Sequence, residues 1–476
     1  LEFETLDGRE LTIDRNLFDM IGMEPYSSPS VFGFYLPENR PEGPLNDLGI
    51  VSPEAQVTIT PSLFGMLNSF MSLLDYGFTP CSLAEGSASC RYPENYVQAE
   101  SKYTPANITD AEQVVNDLDL LLTGNRINPT FKQYIINEYN ETMTNESPEA
   151  AFKLAQKLVV LSPEFHVSNA NQYSEQEQRV LSDGAPSQGR PYKAIVVVVE
   201  SGGADSFNFL VPHSDCGAFD LNAEYSAVRE GAALGKNELL QISVPAGTQP
   251  CDTFGVHPAF PVVKDLYDNQ EALYFANVGA LVEPITKEDY FAKPLTKDLP
   301  PSLFAHNVMT KSTQSLHPQN NAAAGVLGRA VEALRDQAQP YRSELYSLIG
   351  AVKILDGGDP DFISTGGVVQ FDQYQELKDE LHNMTALLSD SPMAETYLSL
   401  LAESLNSTEK VGALLDDVTL VNTFPTSYIG RQLQQVARFI HLRDELQTER
   451  DVFVVSSGGF DTHATFDLSP MFGVID

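Results

Sequence analysis

The stretch Tyr192–Pro212, YKAIVVVVESGGADSFNFLVP, decides how this chain is read. Six apolar residues, Ala194 to Val199, follow one another without alternation. A strand with one wet face alternates apolar and polar side chains. An unbroken run instead reads as a strand buried on both faces, the habit of parallel sheets covered by helices. Working outward, HPAFPVVKDLYDNQ reads as a helix with Pro258 in its first turn, and EALYFANVG reads as a return to strand. Further on, SYIGRQLQQVARFIHLRDEL spaces Ile429, Leu433, Val436 and Ile440 as one helical stripe, and DVFVVSSGG follows as a second buried strand. Strand–helix–strand alternation predicts an α/β domain with a largely parallel central sheet. Ligands of such sheets sit beyond the carboxyl ends of the strands. Asp205, and Asp461 with His463 in SSGGFDTH, fall just after strand ends, which makes them the candidate site residues.

The residues before this stretch have a different texture. AEQVVNDLDLLLTG reads as a helix stopped by Gly124, and AAFKLAQKLVVLSPEF places Phe152, Ala155, Leu158 and Val159 on one helical face. The expected organisation is multi-domain: a mainly α domain over 1–172, a polar Gly/Pro-containing linker over 173–191, and the α/β domain over 192–476. A chain of 476 residues fits two or three domains.

The charge is extreme, at −36, with 65 Asp and Glu against 29 Lys and Arg. No long block of one sign carries it, so the acidity is spread over the surface. Such a surface repels nucleic acid and anionic membrane, both of which are bound through Lys and Arg, and it favours cations, calcium among them. No apolar run is long enough to span a bilayer. The chain opens at Leu1 without a signal-peptide pattern and stops at FGVID, which reads as a processed or partial piece of a precursor. Cys81 and Cys90 lie close together, and Cys216 and Cys251 flank a loop-like insert. Neither spacing matches zinc or thioredoxin chemistry, and two local disulfides, stabilising by ~3 and ~4 kcal/mol on chain-entropy arguments, are the simplest pairing. Sequons begin at Asn107, Asn140, Asn145, Asn383 and Asn406, the third followed by a proline. Sequons, paired cysteines and the missing membrane span together predict a secreted glycoprotein, extracellular or at the cell surface.

Two resemblances add to this. Ser28–Gln56 (SPSVFGFYLPENRPEGPLNDLGIVSPEAQ) and Lys157–Val167 (KLVVLSPEFHV) resemble the carboxyl-terminal half of a large helical bacterial family known only as a domain of unknown function. SGGADSFNFLVP, FGVHPAFPVVKDLY, FANVGALVEPIT, PPSLFAHN and GGFDTH, in that order, resemble a second family of unknown function, distantly related to alkaline phosphatases and sulfatases. In bacteria the two are commonly encoded side by side; here they occur fused. The resemblance implies an alkaline-phosphatase-like fold with divalent metal, zinc or calcium, held at strand ends. It implies Asp205 and Asp461 as carboxylate ligands, His463 as an imidazole ligand, and His306 near the nucleophile. Three departures stand out. Ala305 occupies a position where the second family often has a serine, with Ser302, Thr310 and Ser312 nearby but out of register. Phe460 replaces the family's tryptophan. The chain ends before a later Asp/His/Gly-rich segment, so the domain is expected to be carboxyl-terminally incomplete.

Among other histidines, His257 reads as a helix-entry residue and His317 as a loop residue. LDGGDPDF, Leu355–Phe362, is acidic and Gly-rich but lacks EF-hand ligand spacing. The function expected from all this is a degenerate phosphatase- or sulfatase-like component of an extracellular assembly, through self-association or other extracellular proteins. The alternatives are a metal-dependent phosphate or sulfate ester hydrolase and a calcium- or glycan-binding module.

Overall fold

The computed structural model describes residues 3–5, 60–77, 99–101, 103–168, 173–181, 184–320, 323–358, 360–368, 371–463 and 467–475. Cys81 and Cys90, and most of the segment that resembles the helical family, lie outside these residues. A short antiparallel pair, β1 (Phe3–Thr5) with β2 (Ala99–Ser101), brackets the first of the main helices in the chain.

Those helices are α1 (Thr60–Tyr76), α2 (Ala111–Thr123), α3 (Pro129–Asn145) and α4 (Pro148–Leu161). Their ends follow from sequence. The Asp110 side chain accepts from the Gln113 amide at 3.0 Å to open α2, and Gly124, in the left-handed region, closes it. Asn128 and Ser147 cap α3 and α4, each followed by a proline in the first turn. Ala155, Leu158 and Val159 are buried as the stripe predicts. The core they enter also takes Phe371, Leu381, Tyr397, Leu398, Leu401 and Leu405 from α8 (Lys378–Thr385), α9 (Pro392–Asp416) and the residues before them. Tyr397 donates its hydroxyl to the Leu161 carbonyl at 2.7 Å. The helical core is therefore completed by residues that follow it by some two hundred positions.

The segment expected as a linker is tied down at both ends. Its first part is β3 (Tyr173–Gln178), antiparallel to β11 (Leu387–Ser389). Arg179 grips both Glu395 oxygens, at 2.6 and 2.9 Å. Its end is held by buried Glu449, which accepts from the Gln188 and Arg190 amides at 2.9 Å each.

The central sheet has the order β10-β9-β8-β12-β4. The strands are β4 (Lys193–Glu200), β8 (Ser343–Ser347), β9 (Asp361–Ser364), β10 (Gly367–Val368) and β12 (Arg450–Ser457). All neighbours run parallel except β10, which turns back antiparallel on β9. One face packs under α10 (Tyr428–His441) through Ile429, Val436, Phe439, Phe453 and Val455. The other packs against α7 (Val326–Arg335) through Val331, Leu345, Val452 and Val454. A smaller antiparallel sheet, β5-β7-β6 (Leu210–Ser214, Thr253–Val256 and Leu240–Ser243), sits over a core of Val256, Phe260, Phe460 and Phe472. The disulfide Cys216–Cys251 closes the insert beside it. No helix among the described residues is long and apolar enough to cross a membrane.

Three local expectations change. The strand β12 is buried throughout its apolar run, but among the described residues β4 is the sheet edge, with Ile195, Val196 and Val198 at 52%, 37% and 38% exposure. An unbroken apolar run marks a sheet strand without fixing whether it is central. EALYFANVG forms no strand, and Leu273, Phe275 and Val278 are exposed. The helix after His257, α5 (Pro261–Asp268), begins with Pro261, and Pro258 belongs to the turn before it.

Candidate functional site at the carboxyl ends of two parallel strands

Because β4 and β12 are parallel neighbours, with Arg450 opposite Lys193 through Ser457 opposite Glu200, they end side by side. Each runs into a glycine-rich turn. The Ser201 amide donates to the Ser457 carbonyl at 2.8 Å, and the Phe460 amide donates back to the Ser201 carbonyl at 3.4 Å. Gly202 has φ of +110°, and a Cβ there would lie 2.6 Å from the Asp461 amide nitrogen. Gly203, at φ +83°, passes close to His306, whose Cβ would be 3.2 Å from an added one. The two glycines let the first loop thread between Asp461 and His306, a passage that a side chain would block. Phe460 is buried and packs on Phe472 with ring centroids 5.7 Å apart, so it anchors the loop that presents Asp461.

Three of the four predicted residues come together. The His463 Nε2 lies 2.9 Å from the Asp461 Oδ2, and the His306 Nε2 lies 3.8 Å from the same oxygen. His306 is the first residue of α6 (His306–Ser315), and His463 sits at φ +51°. The fourth residue is engaged elsewhere. Asp205 accepts from the Phe207 amide at 3.2 Å through one oxygen and is ion-paired to Arg229 through the other. Arg229 is a member of this region that the sequence did not signal, since nothing in its spacing marks it as Asp205's partner.

A divalent metal sets the spacing that its donors must meet. Nitrogen and oxygen ligands at about 2.0–2.1 Å in a tetrahedron stand roughly 3.3 Å apart. The two histidine contacts with Asp461 fall on either side of that value. Yet no three His, Cys, Asp or Glu side chains among the described residues are grouped closely enough to hold a metal ion. As they stand, the described residues do not form a ligand set.

Two hydroxyls near His306 are spent on their own helix. Thr310 donates to the His306 carbonyl at 2.6 Å, and buried Ser312 donates to the Val308 carbonyl at 3.2 Å. Ala305, at the N-cap of α6, offers none. Glu200, which ends β4, has its carboxyl pushed up to about 7 by burial. His257 is buried, accepts from the Ala259 amide at 3.1 Å and meets Phe472 edge-on, and burial lowers its pKa against the pull of Asp467 and Asp205. It is a packed turn histidine. His317 lies exposed in a loop. In the acidic stretch before β9, Asp356 is buried in a 2.7 Å ion pair with Lys353.

The chain matches no known protein family, no curated protein and no solved structure.

Proposed function

We propose that this protein is a secreted, multi-domain acidic glycoprotein whose α/β part is alkaline-phosphatase-like in descent, with a reduced site, and that it serves as a component of an extracellular or cell-surface assembly. One observation carries the reading: Asp205, the expected first ligand, has both oxygens committed, one to its own turn and one to Arg229. A guanidinium in the place of a cation satisfies the carboxylate without offering an open coordination position, which a catalytic metal needs. The hydroxyls of Thr310 and Ser312 are likewise committed to helix backbone. Fold descent alone never licenses an activity.

Surface features support association. The open β4 edge carries exposed Ile195, Val196 and Val198, and exposed Leu273, Phe275, Val278, Phe291 and Phe304 follow in the chain. Apolar side chains concentrated in this way are typical of contact surfaces, and an open edge is a template for pairing. Asn107, Asn140, Asn145 and Asn383 are exposed, as glycan attachment requires, and the Asn107 side chain accepts from the Thr109 amide at 3.1 Å in a surface turn. The convergence of His306 and His463 on Asp461 favours a second reading, a metal-dependent phosphate or sulfate ester hydrolase.

Elemental analysis and sedimentation of the natively purified protein separate the two. Concentration-dependent assembly, with no transition metal above background and no turnover of an aryl phosphate or sulfate, is the expected result. About one equivalent of zinc, lost in Asp461→Ala/His463→Ala together with turnover, would install the hydrolase instead.

A further inference from the structure

One edge of the parallel sheet and one stretch outside every sheet have matching sequences. Among the described residues β4 pairs with β12 alone, so its other side is open. The Lys193 amide donates to the Glu449 carbonyl at 3.0 Å, and the Ser201 amide donates to the Ser457 carbonyl at 2.8 Å, both toward β12. Backbone groups of a strand alternate sides from one residue to the next. Ala194, Val196, Val198 and Glu200 therefore turn their N–H and C=O groups to the open side, and such a row is a template for a further strand.

The stretch Glu271–Ala276 (EALYFA) has the composition of a strand and lies in none. Gln270 and Asn277, at φ +64° and +57°, bound it. Between them burial alternates: Ala272 and Tyr274 are half-buried, while Leu273 and Phe275 are 71% and 79% exposed. That is the period of an extended chain with one side outward. Its root is fixed. The Glu271 amide donates to the Leu266 carbonyl at 2.8 Å, and Tyr274 packs on the core under the small sheet, its ring 5.8 Å from that of Tyr267.

Laid parallel and in register, Lys193–Val198 (KAIVVV) and Glu271–Ala276 (EALYFA) match along their length. Exposed Lys193 falls opposite exposed Glu271, and exposed Leu273 falls beside exposed Ile195. An antiparallel arrangement would set Glu271 against Val198 and Lys193 against Ala276, and the charge pairing would be lost.

We propose that the β4 edge takes Glu271–Ala276 of a second copy of this chain as a parallel strand. The proposal rests on the reading of the protein as a component of an assembly and names the two surfaces that mate. Main-chain hydrogen bonds hold the added strand, and the Lys193–Glu271 pair sets its register. A second copy meets the stretch where it stands, with Tyr274 still packed in its own core. Because the two surfaces differ, the contact is heterologous, and successive copies add head to tail.

Sedimentation velocity on the full chain tests this with two variants. Val196→Pro removes a donor on the open side and leaves the ladder to β12 intact. Phe275→Asp places a charge in the donated strand. The unmodified chain is expected to form oligomers that grow with concentration, and each variant alone to stay monomeric. A mixture of the two is expected to form a one-to-one dimer and nothing larger, because each supplies the surface that the other lacks. Lys193→Glu and Glu271→Lys are each expected to weaken association several-fold, and the double variant to restore it. Thermal melts identify a variant that fails to fold; Ile195→Lys then replaces Val196→Pro, and Leu273→Asp replaces Phe275→Asp. Oligomers that persist in both folded variants, or a mixture that does not associate, would overturn this contact while leaving assembly through another surface. An unmodified chain that stays monomeric at every concentration would overturn both. If its melting temperature also fell in either variant, the stretch would belong on the edge of its own chain.

Discussion

Gly202 joins the two loops of the candidate site, and its contribution can be weighed against another glycine. Gly124 also has positive φ, but an added Cβ there meets nothing within 4 Å. Gly124→Ala is therefore expected to cost only the conformational penalty, about 1 kcal/mol. Gly202→Ala adds a contact of 2.6 Å to backbone that cannot swing aside. It is expected to cost at least twice as much and to shift the His306 and His463 imidazole resonances, read by urea melts and by NMR; equal costs at the two positions would refute the close approach. Two half-buried carboxyls make a second prediction at this scale. The Asp361 pKa is raised in the folded protein to about 7, so the folded state holds a proton that the unfolded state releases near pH 4. Its stabilising contribution is full below about pH 4 and is lost as pH rises to about 7. Glu200 has the same sign. His166 has the opposite sign, since burial lowers its pKa to about 4 and its contribution is lost as pH falls. Between pH 5 and 7, Asp361→Asn is thus expected to remove one proton's worth of stability loss from the urea-melt profile; a profile parallel to that of the unmodified protein would show that Asp361 does not titrate there.

At the scale of elements, the sequence was most legible where a local pattern decides the outcome. A stop glycine and one apolar stripe placed α2 and α4, and the buried run Val452–Val455 placed β12 inside a largely parallel sheet. The runs of β4 and β12 look alike in sequence, but position in a sheet is a property of neighbours, and among the described residues β4 has β12 as its one neighbour. EALYFANVG has strand composition and no strand partner, so composition alone misled. The strand-end rule singled out Asp205, Asp461 and His463, and parallel register fixes where their two turns emerge; His306, which stands 3.8 Å from Asp461, came from the family resemblance instead. It did not find Arg229, since an ion pair across 24 positions leaves no periodic trace.

The whole molecule is joined more tightly than a domain–linker–domain reading suggests, and this can be tested by cutting it. The core of α1 to α4 includes Phe371, Tyr374, Leu377, Leu381, Met384, Tyr397, Leu398, Leu401 and Leu405 from the later half of the chain. Burying a side chain of that size stabilises by roughly 1.5–3 kcal/mol. Losing even a few of them exceeds the margin of about 5–15 kcal/mol by which a domain is stable. Residues 60–172 expressed alone are therefore expected to lack a cooperative melt and to bind a hydrophobic dye. The same residues joined by a flexible linker to 371–416 should regain cooperativity, because α8, α9 and the residues before them restore the missing core. The comparison controls for expression artefacts, since both pieces lack the parallel sheet. A cooperative transition in 60–172 alone, at the temperature of the intact chain, would mean that the later helices merely rest on a finished domain. Cooperativity only in the joined piece would mean that one core is built from two distant stretches of sequence. In that case the Arg179–Glu395 contacts hold the start of the crossing segment to a unit that neither stretch can form without the other, while Glu449 holds its end to the parallel sheet.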